Sequence, residues 1–272
     1  MNKLFLTLAV AALCGMPVFA QDAATAAAQP AVAVAPQDAP AKHAASKDDD
    51  KNHTDYSKPG EKIQSEDAIV PNFHTVDLDT DTLKVYRSAS PVRRLLKGKD
   101  VTPDDVEVRL EASKIMQHIK SLGINTIVSL EDPQDGDKGG KNPSVELEMS
   151  AATAAMIAFH SHPMRNAEFK DMDPKDIQAW LDGVVKDIYA SARSGGVLFH
   201  CAAGHDRTGL VGAYLRITVD KWPVDRAIAE MRAMGHNWVK YSSNGGKSSW
   251  HEDFLKNEFA VAASTEAVAA GK

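Results

Sequence analysis

The sequence predicts an α/β fold, a three-layer α-β-α arrangement with a central, mostly parallel sheet. Short β-branched apolar runs, which are typical of buried strands, alternate along the chain with longer segments whose apolar residues recur at helical spacing. Parallel strands need such crossover helices, and these helices cover both faces of the sheet. A charged fraction of 25% and a hydrophobic fraction of 43% over 272 residues agree with a globular protein.

Each strand and helix is predicted from its own local pattern. Strands are predicted at 82–86, 124–130, 156–160 and 197–199, and helices at 112–122, 145–155, 174–194 and from 207 onward. Asp173 and Pro174 have the residue types of a helix N-cap and first helical position, and Gly195 follows where that helix should end. A short loop therefore joins the last predicted strand to the last predicted helix.

The N-terminus has the pattern of an export signal. A basic residue near the start is followed by the apolar run Leu4–Val18 and by Ala20, a small residue of the kind that signal peptidase requires. We therefore expect a signal peptide at 1–20 and a periplasmic or secreted mature protein. The apolar run is shorter than the roughly 18 residues that a membrane span needs. Cys14 would leave with the signal, so we expect a mature chain with the single thiol of Cys201 and no membrane span.

The remainder of the chain divides by composition. Residues 21–66 are rich in Ala and Pro and poor in large apolar residues, which predicts a disordered linker. Residues 67–259 are long enough for one domain, and 260–272 should form a flexible, Ala-rich tail. The formal net charge of −6 argues against a general nucleic-acid binder, because such proteins usually carry a basic face.

The loop after the last predicted strand carries the residues of an anion site. Cys201 ends the strand, Arg207 opens the next helix, and Gly204 lets the chain turn tightly between them. Backbone N–H groups at a helix N-terminus attract anions, and a guanidinium matches two phosphate oxygens. This field should lower the pKa of the Cys201 thiol and yield a nucleophilic thiolate, to which Thr208 can donate a hydrogen bond. The predicted phosphate-binding residues are Ala202, Ala203, Gly204, His205, Asp206 and Arg207.

The pattern His-Cys, five residues and Arg-Thr-Gly at 200–209 resembles the signature loop of the cysteine-dependent phosphatases, the protein tyrosine and dual-specificity phosphatase superfamily. The resemblance covers residues 86–255 and is nearest to the atypical dual-specificity phosphatases of plants, fungi and bacteria. It implies a phosphatase fold, Cys201 as nucleophile, Arg207 as phosphate clamp, and no metal or other cofactor. The resembling segments outside the loop are Val85–Pro91, 123–130 and Trp222-Pro223.

An aspartate is expected to protonate the leaving oxygen, and the sequence leaves three candidates open. Asp206 ranks first, because the resemblance includes phosphatases with a Lys-Asp-Arg loop in which the loop aspartate is thought to be the acid; His205 replaces that lysine here. Asp171 ranks second, because it lies thirty residues before the nucleophile, where many relatives carry their acid. Asp132 ranks third. The nearby Asp173 is assigned to the helix cap instead.

Taken together, these residues predict an exported phosphatase that acts on phosphoproteins through a phosphocysteine intermediate. Inositol polyphosphates or other small phosphoesters are the second substrate class. The sequence also leaves open a rhodanese-type sulfurtransferase and a non-catalytic, phosphate-binding pseudophosphatase, but the five-residue interval favours phosphate over sulfur, and the intact Cys201 and Arg207 favour catalysis. His160 and His162 could share a metal ion, but two ligands are too few, so no metal site is expected.

Overall fold

The computed structural model describes residues 63–78, 83–98, 100–134, 140–242 and 247–259. The predicted signal peptide at 1–20, the predicted linker up to residue 62 and the predicted tail at 260–272 lie outside the described residues. Within the described residues, hydrogen bonds begin before the predicted domain boundary at residue 67. The Ile63 N–H donates to Ala233 O at 3.3 Å, and the Glu66 carboxylate accepts from the Thr75 N–H at 2.9 Å and from the Thr75 hydroxyl at 2.7 Å.

A five-stranded sheet with the order β1-β2-β5-β3-β4 forms the middle layer. Only β1 is antiparallel to its neighbour, and the other three pairings are parallel. The prediction of a central, mostly parallel sheet is therefore confirmed. The strands are β1 (His74–Thr75), β2 (Val85–Ala89), β3 (Ile124–Ser129), β4 (Ala158–Ser161) and β5 (Gly196–Cys201).

Helices cover both faces of this sheet, which confirms the three predicted layers. Side chains alternate along a strand, so Leu198 of β5 joins the core under α1 and α2, whereas Val197 and Phe199 join the core under α4, α5 and α6. No helix within the described residues is long and apolar enough to cross a bilayer. The helices are α1 (Val106–Ser121), α2 (Pro143–Ala154), α3 (Asn166–Phe169), α4 (Pro174–Ser194), α5 (Asp206–Thr218), α6 (Val224–Ala233) and α7 (250–259).

The local predictions hold best where a strong end signal is present. Asp173 caps α4 as predicted, because its carboxylate accepts from the Lys175 N–H at 2.9 Å. The strand predicted at 82–86 was misplaced: β2 runs from Val85 to Ala89, because these residues pair with β5. Five elements were not predicted from the sequence: β1, a short 3₁₀ helix (Arg93–Leu96), α3, α6 and α7.

The parallel register brings three strand ends to one edge of the sheet. Ala89 at the end of β2 pairs with Cys201 at the end of β5, and Ser129 at the end of β3 pairs with His200. Loops that follow parallel strands meet at this carboxyl edge, which is the usual position of ligand sites in open α/β sheets. The fold therefore places Cys201 where loops from two neighbouring strands can support it.

Candidate active site

Cys201 lies at the base of a short loop between β5 and α5. It is the last residue of β5, it is only 4% exposed, and its thiol is free. The loop spans four residues before α5 begins at Asp206. The strand, loop and helix that the sequence predicted around this cysteine are therefore all present, and the positive end of the α5 dipole points back at the loop.

Gly204 gives the loop its tight turn. Its φ of +71° lies in the left-handed region that favours glycine. A Cβ at this position would lie 2.6 Å from backbone atoms of Ser88 and Ala89, which cannot move without shifting β2. No other residue type fits here without displacing the loop from the sheet edge.

The carbonyl groups of the loop face outward and are held there by neighbouring side chains and backbone. A peptide N–H points away from its own carbonyl, so outward carbonyls at 202–204 turn the N–H groups of 203–205 toward the inside of the loop. Those N–H groups form a concave site suited to an anion. The four hydrogen bonds are Ser90 N–H to Ala202 O at 3.4 Å, Asn72 Nδ2 to Ala203 O at 3.3 Å and to Gly204 O at 3.1 Å, and Arg87 Nη2 to Gly204 O at 2.9 Å.

Arg207 is fixed along one edge of its guanidinium and open along the other. Its Nη1 donates to the carbonyl oxygens of Leu130 and Met164, both at 2.7 Å. These two residues follow β3 and β4, so two strand ends hold the side chain, which is only 9% exposed. The buried Nε has no hydrogen-bond partner among the described residues. The edge formed by Nε and Nη2 can therefore bind two oxygens of one phosphate.

The surroundings of Cys201 favour the thiolate. Burial by itself raises the pKa of the thiol, because it disfavours the charged form. The Arg207 guanidinium, the Thr208 hydroxyl and the N–H groups of Thr208 and Ala203 outweigh burial and lower the pKa of the thiol below its usual range. The Thr208 hydroxyl has no hydrogen-bond partner of ordinary geometry within the described part of the chain, which leaves its proton for the sulfur.

Comparison with known proteins agrees with this geometry. Residues 109–221, which include β3, β5, the loop and α5, match the model of the tyrosine phosphatase family. This match confirms the resemblance that the loop and its flanking residues indicated.

Two curated relatives align with parts of this chain. One is the dual specificity protein phosphatase TpbA of Pseudomonas aeruginosa, 42% identical over 52 residues, which are 19% of this chain and 24% of the relative. The other is the mouse protein tyrosine phosphatase domain-containing protein 1, 29% identical over 137 residues, 48% of this chain and 17% of the relative. The chain thus spans a quarter or less of these curated relatives. The crystal structure of P. aeruginosa TpbA aligns with a TM-score of 0.41 and 22% identity over 64% of this chain and 81% of that one.

Asp206, the first-ranked candidate for the acid, turns its side chain toward the segment that follows α6. Its Oδ1 accepts from His236 Nδ1 at 2.8 Å and from the Asn237 N–H at 3.2 Å, while Oδ2 has no hydrogen bond among the described residues. Burial raises the pKa of this carboxyl, but the two donors outweigh it and lower the pKa. The role of Asp206 as the acid of the phosphatase stays a prediction.

The two other candidates for the acid lie in different surroundings. Asp132 accepts from the Gln134 N–H at 2.8 Å and from Arg165 Nε at 2.5 Å, and the Gln134 N–H is the main cause of its lowered pKa. The charge of Arg207 acts in the same direction, which places Asp132 near the phosphate clamp. Asp171 is exposed in the turn after α3, and within the described residues no hydrogen bond joins its side chain to the loop.

His200 lies fully buried beside Cys201, in a group with the residue types of a metal site. Its Nε2 is 2.7 Å from Glu148 Oε1, and Glu131 completes the group. Burial lowers the pKa of His200, but Glu148, Glu131 and the Cys201 thiolate together raise it to about 9. Arg93 pairs with Glu131 at 2.6 Å. The imidazolium and Arg93 thus balance the two carboxylates, and the group does not require a cation.

His160 and His162, for which no metal site was expected, both contact one carboxylate. His160 Nδ1 lies 2.9 Å and His162 Nε2 2.8 Å from Asp187 on α4. Asp187 is distant from both histidines in the sequence, so no local pattern indicated this third residue. The nitrogens that face the carboxylate carry protons, so the arrangement is a pair of hydrogen-bonded rings at the end of β4.

Several residues that support the loop were missed by sequence reasoning. Asn72 and Arg87 hold the loop carbonyls, and His236 holds Asp206, yet all three are distant in sequence. Glu148 did carry a signal in the sequence, because it stands among the apolar positions of the helix predicted at 145–155. In the structure it is fully buried. A carboxylate in an apolar helix stripe indicates a buried partner, which here is His200.

Proposed function

We propose that this chain is an exported phosphatase that hydrolyses phosphate monoesters through a phosphocysteine intermediate, with phosphorylated side chains of proteins as substrates. The observation that carries the proposal is the fixed guanidinium of Arg207, whose open edge faces an anion site beside the low-pKa thiol of Cys201. A phosphate held by that edge and by the N–H groups of the loop lies within reach of the sulfur.

The reaction proceeds in two displacements at phosphorus. The thiolate attacks, the P–S bond forms as the ester P–O bond breaks, and the leaving oxygen takes a proton from an aspartate. A water molecule then attacks the phosphocysteine, the P–S bond breaks, and the aspartate takes back a proton from the water. The Thr208 hydroxyl can stabilise the sulfur as it departs, because its proton has no other acceptor among the described residues.

The charges around the loop favour a substrate with one phosphate. Inositol polyphosphates carry several phosphates and need several uncompensated cations in one place. Two arginines near the loop are instead paired with carboxylates: Arg93 with Glu131 at 2.6 Å, and Arg165 with Asp132 at 2.5 Å. The name of the Pseudomonas relative, a dual specificity protein phosphatase, also supports phosphoproteins.

Turnover by the full chain tests the chemistry. We expect phosphate release from p-nitrophenyl phosphate and from phosphotyrosine and phosphoserine peptides with a chelator present, and a larger kcat/KM for peptides than for inositol hexakisphosphate. Cys201→Ser should abolish turnover, and rapid acid quench of the unaltered chain should trap phosphate on Cys201. Full activity of Cys201→Ser contradicts the covalent mechanism, and preference for the inositol phosphate contradicts the substrate class.

The same preparation separates the rival functions. Transfer of sulfur from thiosulfate to cyanide would indicate a rhodanese. Binding of inorganic phosphate without any turnover would indicate a pseudophosphatase. Either result in the unaltered chain refutes the proposal.

The identity of the acid is tested with leaving groups of different pKa. Asp206→Asn, Asp171→Asn and Asp132→Asn are compared on an aryl phosphate with a good leaving group and on an alkyl phosphate with a poor one. The variant that lacks the acid should lose far more activity on the poor leaving group, roughly 10²–10⁴-fold. We expect this pattern for Asp206→Asn, and the same pattern in either other variant transfers the role.

Export is proposed from the pattern of residues 1–20 alone. The full chain produced in a Gram-negative host should reach the periplasm and begin at Gln21. Ala20→Arg should block cleavage, because signal peptidase needs a small residue at that position. A cytoplasmic product that retains Met1 contradicts the proposal.

A further inference from the structure

The turn that follows α6 contacts two successive residues of the phosphate loop. Gly235 has a φ of +99°, and a Cβ there would lie 2.8 Å from the His205 ring, so this ring packs directly on the glycine. The next residue, His236, hydrogen-bonds Asp206. Backbone hydrogen bonds from Gly235 and His236 to carbonyls of α6, at 3.0 and 3.1 Å, fix the turn to its helix. The loop therefore rests on a rigid support.

Each ring nitrogen of His236 has a hydrogen-bond partner. A carboxylate only accepts, so Nδ1 carries the proton toward Asp206 Oδ1 at 2.8 Å. On the other side, Nε2 lies 2.8 Å from Ser249 Oγ, which itself accepts from the Glu252 N–H at 3.3 Å. A chain of hydrogen bonds therefore runs from Ser249 through His236 to Asp206.

Other charged and titratable groups surround this chain of hydrogen bonds. Glu252 pairs with Arg232 at 2.5 Å, and its carboxylate lies 4.0 Å from His236 Nε2. Burial lowers the pKa of His251 well below its usual value, so this T-shaped neighbour of His236 is uncharged. The titratable or charged groups that face Asp206 and His236 are His205, Arg207, Arg232, Lys240, Tyr241, His251 and Glu252.

We propose that His236 is a positioning residue: supported by Ser249, it holds the Asp206 carboxylate at the edge of the phosphate loop and thereby sets the pH range in which the loop accepts and cleaves a phosphate monoester. This inference rests on the proposed function. Ionised Asp206 repels a phosphate dianion, whereas protonated Asp206 attracts it and can supply a proton. The His236 donor stabilises the ionised form, so its loss should keep Asp206 protonated to higher pH.

The test compares two replacements of His236 in the full chain. The amide nitrogen of His236→Asn can occupy the place of Nδ1 and donate to Asp206, whereas that of His236→Gln reaches only the place of Nε2. His236→Gln should move the descending alkaline limb of kcat/KM on p-nitrophenyl phosphate upward by about one pH unit. His236→Asn should restore the limb, and Ser249→Ala should move it partly. The pH titration of the Asp206 carboxyl carbon, followed by NMR, reads the same ionisation without turnover.

His118→Asn is the matched control. His118 Nε2 lies 2.7 Å from Asp67, so this variant disturbs a histidine–aspartate pair of similar length that involves no residue of the loop. It should leave the limb in place. An active chain whose Asp206 titration is the same in His236→Gln refutes this inference alone, as does a uniform loss of activity at every pH. An inactive unaltered chain refutes the proposed function instead. If His236→Gln does not fold, Ser249→Ala decides the question by the same titration.

Discussion

Replacement of Arg207 by lysine separates the charge at the loop from the geometry of the guanidinium. In the structure one guanidinium does two things, since Nη1 donates to two buried carbonyls while the Nε edge stays open for phosphate. A lysine ammonium keeps the charge, but it cannot donate to the two buried carbonyls and also bind two oxygens of a phosphate. The two charge-assisted hydrogen bonds to phosphate contribute roughly 1.5–3 kcal/mol each. Arg207→Lys should therefore lower kcat/KM by about 10²–10⁴-fold.

The thiol provides the second measurement for this variant. Charge is the main reason that Arg207 lowers the pKa of Cys201, so alkylation of the thiol by iodoacetamide should keep nearly the same pH midpoint in Arg207→Lys. In Arg207→Ala the midpoint should move to higher pH. A kcat/KM within tenfold of the unaltered chain, or an Arg207→Lys midpoint as high as that of Arg207→Ala, would refute the division of roles argued from the structure.

Three further predictions concern the support of the loop. Gly204→Ala places a Cβ on a residue with a left-handed φ, at 2.6 Å from backbone atoms. It should therefore lower the free energy of unfolding by about 2–5 kcal/mol in chemical denaturation and reduce kcat. A variant as stable and active as the parent contradicts the argument. Thr208→Ala should slow breakdown of the phosphocysteine about tenfold, visible as a full burst followed by slow turnover; an unchanged steady state contradicts it. The pKa of His200 is raised to about 9, so the stability that its pairing with Glu148 contributes is complete below pH 6.5 and should be lost as pH rises through 9. The loss should be on the order of 3 kcal/mol in the free energy of unfolding, measured with urea. Glu148→Gln should flatten this pH dependence, and an unchanged slope in that variant contradicts the argument.

The sequence predicts the strand, loop and helix at the nucleophile because their signals are local. The signals are a β-branched run, the five-residue interval between Cys201 and Arg207, and an apolar helix pattern. All three lie within one short stretch of consecutive residues. The cap of α4 is equally local, because it needs only Asp173 at the N-cap and Pro174 at the first helical position. Patterns of this kind do not depend on which strand lies beside which.

The missed features depend on pairing between distant segments. The two-residue strand β1 exists only because β2 offers it an edge, and its sequence has no strand pattern of its own. The anchors of Arg207 are backbone carbonyls of Leu130 and Met164, which carry no side-chain signature at all. His236 lies thirty residues after Asp206, and nothing in its local sequence indicates a contact with the loop.

The acidic net charge of the chain is compatible with an anion site because three of the nearby carboxylates are compensated locally. Asp132 is paired with Arg165, Glu131 with Arg93, and Glu148 with the imidazolium beside the nucleophile. The field at the sulfur therefore comes mainly from Arg207, the loop N–H groups and the N-terminus of α5, all of which adjoin Cys201. Salt screens charges beyond roughly 10 Å at 0.1 M but hardly affects such short contacts. We therefore expect kcat/KM on p-nitrophenyl phosphate to change less than about threefold between 50 and 500 mM NaCl. A steep rise with salt would mean that repulsion by the acidic surface limits binding, and that the pairs named here do not neutralise it.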